Sequence, residues 1–129
     1  MNAPQDPRGP VVAEPGRLAR AELVIYDLDG TLLDAFDDIH ACVNKAFALA
    51  GLAPLTLERV KGAVGDGAAT LIRRCLGPEH ADRFDEVYPR YMEFYSNNPE
   101  PRVRLYPGVL EALAAVRAGG LPQAVLTNK

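Results

Sequence analysis

The chain has 129 residues, 48% of them hydrophobic and 24% charged, which is the make-up of one ordinary globular domain. Fourteen Lys plus Arg against seventeen Asp plus Glu give a formal charge of -3, with the basic residues scattered, so a nucleic-acid footprint is excluded and an anionic partner needs a local site. No apolar run is long enough to span a bilayer, and Cys42 and Cys75, both in helical patterns, exclude a disulfide scaffold and fit a reducing, cytoplasmic setting.

Residues 1–20 hold Pro4, Pro7, Pro10 and Pro15 without an apolar period, and they predict a disordered tail that lacks the basic start and apolar run of an export signal. Leu23-Val24-Ile25-Tyr26 predicts a strand buried on both faces and stopped by Asp27-Leu28-Asp29-Gly30. From Asp34 the period becomes helical through Phe36, Ile39, Val43, Phe47 and Ala50. Asp34 is the expected N-cap and Gly51 the stop. A second helix is expected from Thr56 to about Val64, interrupted by Gly65-Asp66-Gly67. A third, with Leu71, Ile72, Cys75 and Leu76 on one face, ends at Gly77-Pro78. The fourth carries Phe84, Val87, Tyr88, Tyr91, Phe94 and Tyr95, and Pro89 within it should kink the helix or shift its start. Pro107-Gly108 opens a fifth helix, closed by Gly119-Gly120. Ala124-Val125-Leu126-Thr127 reads as a second buried strand.

A parallel strand pair needs a crossover of a dozen or more residues, normally one helix. Here Asp27 and Thr127 stand much further apart, so the crossover has taken in a helical module, expected at 35–100, between core segments at 21–34 and 101–129. The fold class is therefore α/β: part of a Rossmann-like parallel sheet with an inserted all-helical unit. An insertion directly after the first strand lies over the strand ends, where open α/β sheets bind ligands, and would act as a lid.

Asp27-Leu28-Asp29-Gly30-Thr31-Leu32 carries the chemistry. Two carboxylates one residue apart at a strand end can face the same crevice, and Gly30 lets the backbone turn away. Two such anions repel unless a cation or proton intervenes, and a hard ion such as Mg2+ resolves this while leaving positions for water or phosphate. One carboxylate can attack phosphorus while its neighbour protonates the leaving oxygen and then activates water. A helix-loop-helix calcium site does not fit: Thr31, Leu32 and Asp38 stand where it needs its third acid, its glycine and its bidentate Glu.

From Glu22 to Lys129 the chain resembles the haloacid dehalogenase superfamily of aspartate-nucleophile phosphatases. Asp27 to Asp34 resembles its first motif, the inserted helices its small helical cap, and Leu126-Thr127-Asn128-Lys129 its second motif. The resemblance implies that Asp27 is the nucleophile forming an aspartyl-phosphate and Asp29 the acid/base. It implies Thr127, with Asn128, Gly30 and Thr31, around the transferred phosphoryl, and Mg2+ on the Asp27 carboxylate and the Asp29 backbone carbonyl. An acid at position 29 favours phosphoryl transfer over dehalogenation. Val64-Gly65-Asp66-Gly67-Ala68 and Leu105-Tyr106-Pro107-Gly108-Val109 are similar to phosphoglycolate phosphatases. That implies 2-phosphoglycolate, a small phosphorylated organic acid, as substrate, with Gly65 and Gly67 bringing lid N–H groups to the anion. A pyrophosphatase, a phosphosugar phosphatase or mutase, and a non-catalytic interaction remnant are the alternatives. Neither nucleic acid nor membrane is an expected partner, and oligomeric state is open.

Arg73 and Arg74 are expected to be solvated, since adjacent helical residues cannot share a face. His40 and His80 read as surface or lid residues, and the aromatic stripe of the fourth helix as lid core with Tyr hydroxyls at the entrance. The family's lysine and its later acidic metal ligands would fall beyond Lys129, so neither Lys61 nor Lys129 is given that lysine's role. The expectation is a chain holding the front part of a longer enzyme, without the C-terminal core strands and inactive by itself.

Overall fold

A computed structural model describes residues 21–98 and 101–128; the tail expected at 1–20 and Lys129 lie outside the described residues. In chain order the elements are β1 (Val24–Tyr26), β2 (Leu33–Asp34), α1 (Phe36–Leu49), α2 (Leu57–Lys61), α3 (Ala68–Leu76), a 3-10 segment (Pro78–Arg83), α4 (Phe84–Ser96), β3 (Arg104–Leu105), α5 (Val109–Ala118) and β4 (Gln123–Val125).

β1 and β4 pair in parallel with Val24 opposite Gln123 and Tyr26 opposite Val125. The parallel register makes both strands leave the sheet at the same edge, and Leu126 N–H donates to the Tyr26 carbonyl at 2.9 Å to carry the pairing one residue further. Asp27 and Thr127 therefore emerge side by side, although a hundred residues of sequence separate them.

Between β1 and α1 the chain folds back on itself. The Leu28 carbonyl accepts from the N–H groups of Thr31, Leu32 and Leu33 at 3.3, 3.0 and 2.9 Å, and Gly30 N–H donates to the Leu33 carbonyl at 2.8 Å. Gly30 has φ +80°, and a Cβ there would stand 3.1 Å from Phe36 Cζ, so both the conformation and the space call for glycine. A small antiparallel ladder, β2 with β3, follows; it pairs Leu33 with Leu105 and Asp34 with Arg104. The sequence reading had no strand at either place, because two-residue strands carry no measurable period.

α1 begins at Phe36 with Ala35 as its N-cap, one residue later than expected. Asp34 instead accepts from Phe36 N–H through Oδ1 at 3.3 Å, bracing the turn that leads into the helix. α2 stops at Lys61 rather than about Val64, after Thr56 Oγ1 accepts from Arg59 N–H at 3.2 Å. α4 runs as one helix from Phe84 to Ser96 with Pro89 inside it, and the chain turns in the 3-10 segment before Phe84. Proline costs this helix one hydrogen bond on its exposed side, while Val87 and Tyr91 pack its buried side.

Helices α1 to α4 share one core of Ile39, Val43, Ala46, Phe47, Val60, Leu71, Ile72, Cys75, Leu76, Val87 and Tyr91. Both cysteines are free and buried. Polar ties close the cluster. The Asn44 carboxamide pairs with the Leu55 backbone in both directions, at 3.0 and 2.8 Å, and His40 Nε2 lies 2.8 Å from the same Leu55 carbonyl. His40 thus serves within the helical unit as a fastener of the α1–α2 loop. Arg83 donates to the Ala50 carbonyl at 2.8 Å, placing a cation at the negative end of α1, and lowers the Glu86 pKa through their hydrogen bond.

The expectation that the strands are buried on both faces is not met within the described residues. Ile25 is 56% exposed, Leu110 of α5 63% and Leu126 70%. Two strands and one helix of this length offer no second layer to cover those faces. No helix of the described residues is long and apolar enough to cross a membrane.

Candidate active site

A cavity of about 120 Å³ lies between the ends of β1 and β4 and the helical cluster. Its floor is polar: Asp27 and Asp29 from the loop after β1, Thr127 and Asn128 from the segment after β4. Its roof is Val64, Gly65, Gly67, Ala68 and Leu71 from the loop before α3 and that helix's first turns, with Ile39 of α1 and Tyr91, Met92 and Tyr95 of α4. Six residues singled out from sequence thus meet at one place: Asp27, Asp29, Thr127, Asn128, Gly65 and Gly67. Gly30 and Thr31 do not line the cavity; Gly30 sits against Phe36 and Thr31 is exposed, shaping the loop from outside.

The roof touches the floor. Asn128 Nδ2 donates to the Gly65 carbonyl at 3.0 Å. Gly67, at φ +87°, is so close that a Cβ would stand 3.3 Å from the Asn128 carbonyl oxygen. Gly67 is also the N-cap of α3, so the free N–H groups of that helix's first turn start at the cavity wall.

The loop that carries Gly65 and Gly67 is pinned from behind. Arg74 donates to the Ala63 carbonyl at 3.3 Å and pairs with Asp66, while Arg59 donates to the Arg74 carbonyl at 2.6 Å. Arg73 lies over the Phe84 ring at 3.8 Å. Both arginines are exposed, as expected, while each also engages a neighbour, and neither lines the cavity. Lys61 Nζ stands 5.3 Å from the centre of the Phe36 ring, the ring that backs Gly30.

The spacing of α4 puts Tyr91 in the lid core, with Tyr hydroxyls of the same stripe at the entrance. Tyr91 is 3% exposed, stacks on Tyr95 with ring centres 5.6 Å apart, and lines the cavity. Burial, then the neighbouring Tyr95, Cys42 and Asp29, push its phenol above the ordinary value, so it is a neutral hydroxyl at working pH. Spacing along α4 placed Tyr91 on the packed face but carried no signal that this face also borders the carboxylates.

The donor set suits a hard cation in kind, since two carboxylates share the floor. It is not complete: among the described residues there is no group of three or more His, Cys, Asp or Glu able to hold a metal ion.

Comparison with known proteins gives a consistent picture. The family model described as haloacid dehalogenase-like hydrolase matches residues 24–129. A phosphoglycolate phosphatase of Cereibacter sphaeroides is 41% identical over 110 residues, covering 82% of this chain and 50% of that protein. A phosphoglycolate phosphatase of Pseudomonas putida is 40% identical over 121 residues, covering 89% of this chain and 43% of its own length. Among solved structures, one titled a predicted phosphoglycolate phosphatase from Haemophilus somnus 129pt superposes with a TM-score of 0.74 at 32% identity, covering 84% of this chain and 52% of that one. The chain spans about half the length of the curated relatives it matches.

Proposed function

The chain belongs to the haloacid dehalogenase-like hydrolase family, and from that premise we propose that the whole protein hydrolyses a small phosphomonoester, 2-phosphoglycolate first among them, through an aspartyl-phosphate on Asp27. The observation that carries this reading is the convergence of Asp27, Asp29 and Thr127 on one small cavity roofed by helices.

The steps follow from the positions. The Asp27 carboxylate attacks phosphorus and the bond to the ester oxygen breaks. Asp29, two residues on and facing the same cavity, delivers a proton to that leaving oxygen and then takes one from the water that cleaves the acyl phosphate. Thr127, brought alongside by the parallel register, offers a hydroxyl to the phosphoryl oxygens. Asp27 and Asp29 would supply oxygen ligands to Mg2+, whose contribution is to neutralise phosphoryl charge and orient it for in-line attack. The remaining ligands and the family's lysine belong, in this reading, to the half of the relatives' length that this chain does not span. Residues 35–100 then form the lid, and 21–34 with 101–129 the portion of the core that bears the nucleophile.

Size and chemistry of the cavity favour a compact substrate. The cavity is small, about 120 Å³, and among the described residues no Lys, Arg or His lines it. The far end of the substrate meets the Tyr91 and Tyr95 side of α4 and the first turn of α3, which offer dipoles to a carboxylate rather than a counter-charge.

The test is phosphate release by the full-length protein from a panel of phosphate esters, with and without Mg2+. Asp27→Asn is expected to lower turnover by at least about a thousandfold, as loss of a covalent nucleophile does. Undiminished turnover in that variant would remove the nucleophile assignment, and preference for a phosphosugar or pyrophosphate would replace phosphoglycolate as the substrate.

A further inference from the structure

We propose that Asn128 is a positioning residue that latches the lid: its side chain holds the Gly65 loop closed over the site, tying closure to the phosphoryl-binding segment that precedes it. The link to turnover rests on the phosphatase reading above; the latch itself does not.

Asn128 directly follows Thr127, in the segment that leaves β4 at the sheet edge. Its Nδ2 donates to the Gly65 carbonyl at 3.0 Å across the boundary between sheet and helical cluster. Its own backbone carbonyl lies against Gly67, where a Cβ would come within 3.3 Å. One residue therefore meets the lid loop twice, by a hydrogen bond at Gly65 and by backbone contact at Gly67. The loop it meets is stiff, because Arg74 holds Ala63 and Asp66 from the opposite side. A stiff loop gripped at one point moves as a unit with α3, so the grip governs the whole roof. The bond is solvent-exposed and neutral, which limits it to about a threefold to tenfold bias on closure. That strength suits a lid that must also open to release product.

The placement also couples the two halves of the site. Any shift of Thr127 on binding a phosphoryl group moves the next residue in the chain, and Asn128 transmits that shift to Gly65. An asparagine there serves where an aspartate would not, since a carboxylate has no hydrogen to give to a carbonyl.

Two variants of the full-length protein test this, Asn128→Asp and Gly67→Ala, each read in two ways. Hydrogen exchange of the unliganded protein should show residues 62–68 exchanging about threefold to tenfold faster in either variant, with α1 unchanged. Steady-state kinetics should show kcat/KM reduced by a similar factor for every phosphate ester turned over, and the double variant should lose less than the product of the two single losses, because both disturb the same contact between Asn128 and the loop that carries Gly65 and Gly67. Unchanged exchange at 62–68 in both variants would overturn the latch. A loss that varies with the ester's organic part would also overturn it, by making Asn128 a direct substrate ligand. If the parent protein releases no phosphate from any ester, the phosphatase reading fails while the exchange measurement still decides the latch.

Discussion

Two regions of this molecule are built on opposite terms. The helical cluster closes on itself: Val43, Val60, Ile72 and Val87 are fully buried, and each of its four helices supplies one of them. At the sheet end, only Val109 of α5 is buried, while Ile25, Leu110, Val125 and Leu126 are more than half exposed. Stability and chemistry are thereby divided. The region with the well-packed core supplies the apolar roof, and the region with the open faces supplies every carboxylate of the site. A strand pair gains its stability from layers on both faces, so the candidate catalytic motif rides on the least self-sufficient part of the chain.

The division can be pressed from several directions. The largest effect is that of Asp27→Asn, which should abolish phosphate release yet leave the thermal midpoint within experimental scatter, because Asp27 is exposed on the floor and packs no core. A midpoint that falls by several degrees would show the two regions to be coupled. Ile72→Ala, deep in the cluster, should cost about 2–5 kcal/mol by denaturant titration through transfer and cavity terms together. A cost below about 1 kcal/mol would mean that the helical core is looser than its burial indicates.

A pH effect of intermediate size belongs to the same core. Burial pushes the Cys75 thiol up to about 11 from its ordinary 9.0, with Arg59 opposing. The folded state therefore favours the neutral thiol. The associated stability is fully present below pH 9.0 and is lost as pH rises towards 11, where the unfolded thiol ionises first. Denaturant midpoints across that window should fall less steeply in Cys75→Ala than in the parent, and equal slopes would exclude Cys75 as a contributor. The smallest effect should come from Leu110→Gln on the open side of α5, within about 0.5 kcal/mol for the 129-residue chain. In a longer protein that covers this face, the same change should cost about 2 kcal/mol, so the pair of measurements reports directly whether the exposed side chains are covered.

Much of the fold was legible from residue order. The helices of the cluster announce themselves through apolar side chains at three- and four-residue intervals, and β1 and β4 through short β-prone runs beside glycine. Asp27 and Asp29 stood out because two acids after an apolar strand have few structural uses. The rest was illegible for identifiable reasons. β2 and β3 are two residues each, shorter than any period. Arg73 and Arg74 are exposed, as their helical spacing indicates, but spacing does not tell which partner each long side chain reaches, Phe84 or Asp66. Tyr91 obeyed a packing rule and a site rule at once, and only its neighbours distinguish them.

By itself the sequence determined which residues could do chemistry and which elements would carry them, since both follow from side-chain type and local spacing. Only the tertiary structure decided that Asp27 and Thr127 leave the sheet at the same edge, that Gly65 and Gly67 roof them, and that Asn128 reaches up to hold the roof. Those relations join residues as many as a hundred positions apart. They are set by strand register and by the packing of whole helices, neither of which is a property of any local stretch of chain.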